Sequence, residues 1–259
     1  MNRTALAIAL AIAVVVGVIF AVWPRLDLDI SALFYARNQN LFIVNAQLWV
    51  YYLRNSARGL ITLLVAPAFL AAIGRVIWPR SRMLIEGRAA LFLAVTLALG
   101  PGVVTNLIFK DHWGRPRPID VTEFGGSDPF MPWWDPRGPC ANNCSFVAGE
   151  PSGAFWTLAP AALAPPPLQG IAYGAALAFG VGLGAFRMAA GAHFFSDVVF
   201  AGVLMYLVVF TAHGLIYRWP ATRLDEKVLQ DRLGQSGERL SGALRGAARR
   251  LAGGWKKAS

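Results

Sequence analysis

Long unbroken apolar blocks, rather than alternation of apolar and polar positions, dominate this chain. Thr4 to Trp23 contains no charged residue, and neither does Ala89 to Phe109 or Leu168 to Phe186. Gly59 to Trp78 carries only Arg75, close enough to one end for its side chain to snorkel to the interface. Phe194 to Tyr217 carries Asp197 and His213 near its two ends. Each block approaches the roughly 20 residues a helix needs to cross about 30 Å of hydrocarbon. A sixth block, Ser152 to Ala164, is short and ends at Pro165-Pro166-Pro167. It is read as a span because the flanking segments otherwise fall on conflicting sides of the membrane. The pattern therefore predicts an all-α fold: a six-transmembrane-helix bundle over residues 1–217, followed by a tail over residues 218–259. The first block is longer than the about 7–15 apolar residues of a signal peptide, and Trp23-Pro24-Arg25 lacks the small residues of a cleavage site. It is read as an uncleaved span.

Between the blocks lie two outer loops of different character. Asp27 to Arg58 mixes aromatic and polar residues, as segments lying in the membrane interface do. Lys110 to Glu150 is rich in Pro, Gly and Trp, and a loop of that length in a compact domain is commonly functional. The tail shows a loose helical pattern (Leu224, Val228, Leu229, Leu233, Leu240, Leu244, Leu251) and predicts a basic amphipathic helix on the anionic inner leaflet.

Composition agrees with a membrane chain: 56% of residues are hydrophobic and only 15% charged. Charge then orients it. With the N-terminus inside and six spans, the inner segments carry Arg3, Arg75, Arg80, Arg82, Arg88 and ten basic residues from Arg218 onward, against five acids. The outer segments carry nine basic and nine acidic residues, so the whole formal charge of +10 sits inside. This is the positive-inside bias, and it accounts for the charge without nucleic-acid binding. Both termini are expected in the cytoplasm of a bacterial-type inner membrane, with the active site on the periplasmic face. Cys140 and Cys144 fall in the outer loop, where an oxidising compartment favours a short disulfide over two free thiols.

Ionisable residues at a membrane edge are costly and point to function. Most of those outside the tail gather at Lys110 to Pro118, at Ser145 to Ser152 and at Arg187 to Asp197, all of which the topology puts on the outer face. Lys110, Arg117 and Arg187 provide three cations to hold a phosphoryl group and neutralise the charge on its equatorial oxygens. His193 and Asp197 stand four apart, on one face of a helix. A carboxylate there can hold one ring nitrogen protonated and leave the other free to attack phosphorus. Arg115 and Arg137 read as snorkelling anchors, and His112 as an interface or supporting residue.

Lys110-x6-Arg117-Pro118 and Arg187-x5-His193-x3-Asp197 resemble the first and third signature motifs of the type 2 phosphatidic acid phosphatase superfamily. That resemblance implies a metal-independent membrane lipid phosphatase without a cofactor. In it Lys110, Arg117 and Arg187 hold phosphate, His193 forms a phospho-histidine and Asp197 orients it. The second motif departs from the family's P-S-G-H. In one register Ala148 stands at the Ser position, Gly149 supplies backbone to the phosphate, and Glu150 stands at the position of the acid histidine. In the other, Pro151-Ser152-Gly153 is kept and Ala154 replaces the acid. The first fits the flanking Phe146, Gly149 and Ser152 better, and Glu150 then serves as the acid if its surroundings raise its pKa.

The expected substrate is a membrane lipid phosphate: an isoprenyl diphosphate, a phosphatidylglycerol phosphate or phosphatidate, or a lipid A phosphate. A lipid phosphotransferase using the same intermediate is the alternative. A transporter is disfavoured, because its charges are expected deep in several broken spans. Oligomeric state is not readable from the chain.

Overall fold

The computed structural model describes residues 3–78 and 85–255. Arg80, Arg82, Lys256 and Lys257, counted in the charge balance above, lie outside the described residues, as do the side chains of Leu240, Leu244 and Leu251. The fold is helical, with α1 (Arg3–Val22), α2 (Leu26–Ala32), α3 (Leu48–Ile77), α4 (Gly87–Leu97), α5 (Gly149–Phe155), α6 (Leu158–Ala162), α7 (Pro166–Ala189), α8 (Phe195–His213) and α9 (Glu226–Trp255). A short antiparallel hairpin, β1 (Tyr35–Ala36) with β2 (Leu41–Phe42), follows α2.

Five helical runs among the described residues are long and apolar enough to cross a bilayer: Arg3–Val22, Trp49–Ile77, Gly87–Lys110, Pro166–Ala189 and Phe195–Arg218. They correspond to the five long apolar blocks. The third run changes pitch at Ala98 and continues to Lys110 with wider, π-helical turns around Pro101. Proline lacks the N–H that would close its turn, and such irregularities are tolerated where neighbouring helices pack closely. The sixth expected span is not one continuous helix. It is built as α5 and α6, seven and five residues long, of which five and four residues are buried.

The chain forms two compact units, residues 1–64 with 95–213, and residues 65–94 with 214–259. In the first, α5 packs between α7 and α8, and α1 lies along α8, where Phe20 stacks on Phe195 with ring centroids 5.4 Å apart. Gly100 admits close approach of the third run to α8, since a Cβ there would stand 2.8 Å from the Met205 sulfur. In the second unit, Glu226 at the start of α9 receives the backbone N–H groups of Gly87 and Arg88 at 2.5 and 2.9 Å, which caps α4.

Helix ends in the first unit place the chemistry. Pro166 opens α7, where its missing N–H costs nothing. The same helix closes in a Schellman turn: Gly191 N–H donates to Met188 O at 2.9 Å, and Ala192 N–H to Arg187 O at 3.0 Å. Gly191 has φ +66 and its α-carbon lies against the Phe42 ring, so both conformation and space call for glycine. This tight turn carries the chain directly from Arg187 to His193 and into α8.

Candidate active site

A cavity of about 420 Å³ is lined by Lys110, Arg117, Gly149, Glu150, Arg187 and His193, together with Arg54, Arg58 and Asn143. Six of the seven residues singled out in the sequence thus share one cavity. The seventh, Asp197, is fully buried behind it.

His193 is almost fully buried, and its Nδ1 lies 2.8 Å from the carbonyl oxygen of Ser145. A carbonyl only accepts, so Nδ1 carries the proton and Nε2 keeps its lone pair. Asp197 does not make this contact itself, since its Oδ2 is 3.9 Å from Nδ1. Instead Oδ2 accepts from the Ser145 hydroxyl at 2.5 Å and from the Phe194 backbone N–H at 2.8 Å. Its hold on the imidazole runs through Ser145 and the helix start. Burial, and then the charges of Lys110, Arg187 and Arg117, hold the His193 pKa well below 6.5. Both effects favour the neutral ring.

Arg115 differs most from expectation. The snorkelling anchor read from the sequence is a fully buried side chain, ion-paired to Asp197 and, at 2.7 Å, to Asp27. It also donates to Ser196 Oγ and to the carbonyl of Met131, both at 2.9 Å. Asp27 in turn receives the Ser196 backbone N–H and hydroxyl at 3.0 and 2.6 Å. The reason is topological: α2 turns back beneath α8, so a carboxylate distant in sequence is available to hold a cation that would otherwise seek water. Arg137 remains an exposed residue paired to Asp135 at 2.7 Å. His112 Nδ1 contacts Leu107 O at 2.8 Å and does not line the cavity.

Glu150 lies in the first turn of α5, among guanidinium groups. Arg54 Nε and Arg58 Nη2 donate to its Oε1 at 2.8 and 2.7 Å, and Arg187 Nε stands 2.9 Å from Oε2 in an ion pair without hydrogen-bond alignment. Burial alone would raise the Glu150 pKa. The Arg54 hydrogen bond and the charges of Arg187 and Arg54 outweigh it and hold the carboxyl below its ordinary value. The raised pKa on which an acid role was conditioned is therefore not what these neighbours produce. The two registers of the second motif are also separated: Glu150 lines the cavity, whereas Ala154 is buried against Ala57 and Leu183 and does not. Gly149 lets the Lys110 stem lie against α5, since a Cβ there would stand 2.6 Å from Lys110 Cε.

Lys110 Nζ donates to Asn143 Oδ1, and Arg117 Nη2 to Asn143 O, both at 2.8 Å. Arg54, Arg58, Asn143, Asp27 and Ser145 were not singled out in the sequence. Only Arg54 and Arg58 carried a readable signal, as a pair of cations four apart beside an apolar block. Cys140 and Cys144 form a disulfide, as the oxidising-side placement of their loop predicts.

Residues 89–224 match the PAP2 superfamily. The lipid A 4′-phosphatase of Francisella tularensis subsp. novicida (strain U112) is 35% identical over 219 residues, covering 84% of this chain and 98% of that protein. The lipid A 4′-phosphatase of Rhizobium leguminosarum is 41% identical over 117 residues, 45% of this chain and 50% of that one. That of Rhizobium etli (strain ATCC 51251 / DSM 11541 / JCM 21823 / NBRC 15573 / CFN 42) is 38% identical over 133 residues, 51% of this chain and 49% of that one. No solved structure matches the chain.

Proposed function

We propose that this chain, which belongs to the PAP2 superfamily and is a membrane lipid phosphatase, hydrolyses the 4′-phosphate monoester of lipid A through a phospho-histidine on His193. Support for the substrate comes from similarity that runs nearly the whole length of the Francisella lipid A 4′-phosphatase. Support for the mechanism comes from one contact, Nδ1–H of His193 on the Ser145 carbonyl, which leaves Nε2 unprotonated in a cavity lined with cations.

In this reading Lys110, Arg117 and Arg187 bind the phosphoryl oxygens, and Nε2 attacks phosphorus in line with the departing sugar oxygen. Charge spreading over the equatorial oxygens meets three fixed cations, the main catalytic resource in phosphoryl transfer. Glu150 serves as the counter-ion that gathers Arg54, Arg58 and Arg187. The incoming dianion takes over Arg187, and the departing oxygen draws its proton from water. A second water then attacks the phospho-histidine, transferring the phosphoryl group to its own oxygen and returning His193 to the neutral state. The positive-inside charge distribution supports a cavity on the outer face of the membrane, with both termini inside.

The test is phosphate release by the purified protein in detergent from lipid A, an isoprenyl diphosphate and phosphatidate. Release from lipid A, located to the 4′ position by mass spectrometry and absent in His193→Ala, is expected. Faster release from the diphosphate, or turnover by His193→Ala, would overturn the assignment.

A further inference from the structure

One residue touches two of the three cations assigned to phosphate, and it does so from inside a disulfide ring. Asn143 accepts from Lys110 Nζ with its side-chain Oδ1 and from Arg117 Nη2 with its backbone oxygen, both at 2.8 Å. Its φ of +51 lies in the left-handed region, which asparagine tolerates better than most residues. Both contacts therefore depend on one backbone conformation, not only on a side chain within reach.

The ring that holds this conformation is short. Cys140 and Cys144 are bonded across Ala141, Asn142 and Asn143. On either side of Asn143, backbone bonds tie the segment to the motif that carries the cations. Cys140 N–H donates to Gly114 O at 3.1 Å, Cys144 N–H to Lys110 O at 3.0 Å, and Ser145 N–H to Arg115 O at 2.8 Å. The next carbonyl along, that of Ser145, sets the tautomer of His193.

We propose that Asn143, held by the Cys140–Cys144 bond, is a positioning residue that pre-orders Lys110 and Arg117 for the phosphoryl group, and that full activity requires that bond. The proposal rests on the reading above that these cations bind phosphate. Lysine and arginine side chains are long and rich in rotamers, so a fixed acceptor that aims them removes part of the entropic cost of binding. A neutral amide does this without cancelling charge. A carboxylate at the same place would neutralise Lys110 and repel the dianion.

The experiment measures inorganic phosphate affinity by calorimetry and kcat/KM for lipid A on the purified protein in detergent. The proteins are wild type, Asn143→Gly, Asn143→Asp and Cys140→Ala/Cys144→Ala, each with and without reductant, with thiols counted by maleimide mass shift. Glycine and aspartate both accept the left-handed conformation, so the variants change the acceptor and not the turn. Loss of one hydrogen bond to a charged group predicts roughly tenfold weaker phosphate binding and higher KM in Asn143→Gly, and a larger loss in Asn143→Asp. Reduction of wild type loosens both contacts and weakens binding at least as much as Asn143→Gly does, and reduction of Asn143→Gly, which has already lost the Lys110 contact, costs less than reduction of wild type. That non-additivity would not follow if the disulfide merely stabilised the fold. Unchanged affinity on reduction or in Asn143→Gly overturns the proposal, as do effects of reduction and substitution that multiply in full. Phosphate binding requires no turnover, so it reads the proposal even where lipid A is not cleaved. Unchanged phosphate binding in Lys110→Ala and Arg117→Ala marks failure of the underlying reading instead.

Discussion

Replacing Arg115 by methionine removes the single cation between two buried carboxylates. Arg115 and Asp197 have fully buried side chains, and that of Asp27 is 1% exposed. Removing one partner of a buried ion pair costs about 3–5 kcal/mol, because the charge left behind has neither water nor counter-ion. In a chain of this size about 1 kcal/mol corresponds to roughly 2–4 °C, so the melting temperature should fall by about 6–20 °C. Asp27→Asn keeps the pair between Arg115 and Asp197 and an acceptor oxygen at position 27, and should lose much less. The double variant, Arg115→Met with Asp27→Asn, leaves one carboxylate, still held by the Ser145 hydroxyl and the Phe194 N–H. It should therefore melt higher than Arg115→Met alone. Intrinsic tryptophan fluorescence during a thermal ramp in detergent measures all three. Melting of Arg115→Met within about 2 °C of wild type, or strictly additive losses in the double variant, would refute the network as described.

Three further outcomes follow from the cavity. Arg54→Gln/Arg58→Gln should raise KM about tenfold and alter kcat less, since the two side chains enlarge the positive field without touching His193; unchanged KM counts against their role. Glu150→Gln should keep kcat within about tenfold and make inorganic phosphate a stronger inhibitor, because Arg187 is released; a fall of about 10²–10⁴ in kcat, the range of a general acid, sinks the counter-ion reading. The depressed pKa of His193 means that its neutral, reactive form persists as pH falls through 6.5. Its acylation by diethylpyrocarbonate, measured against His193→Ala and with phosphate as protectant, should stay fast below that pH, and an inactivation midpoint at or above it contradicts the assigned environment.

Elements governed by a single physical constraint were legible in the sequence. Hydrocarbon thickness demands long apolar runs, and the five longest blocks are helices of spanning length. The spacing of Arg187, His193 and Asp197 follows from one helix end and the start of the next, so it too was visible. What depended on which segments meet in space was not. Arg115 reads as a surface anchor until α2 brings Asp27 to it. The ion pairs that lower the Glu150 pKa were not legible, because they come from Arg54 and Arg58 on α3, outside the residues matched to the family. The block Ser152 to Ala164 reads as a span from the sidedness of its flanking segments, but its break into the two short helices α5 and α6 was not visible. Its burial between α7 and α8 explains a composition that length alone did not justify.

The central claim is covalent, and trapping the intermediate tests it most directly. Lipid A carrying a labelled 4′-phosphate, mixed with the purified protein and quenched in alkali within milliseconds to seconds, should leave label on the protein. A phosphorus–nitrogen bond to histidine withstands alkali and breaks in acid, and peptide mapping should place the label on His193, with none in His193→Ala. Labelled product formed with no labelled protein at any quench time, or label on any residue other than His193, would contradict the account.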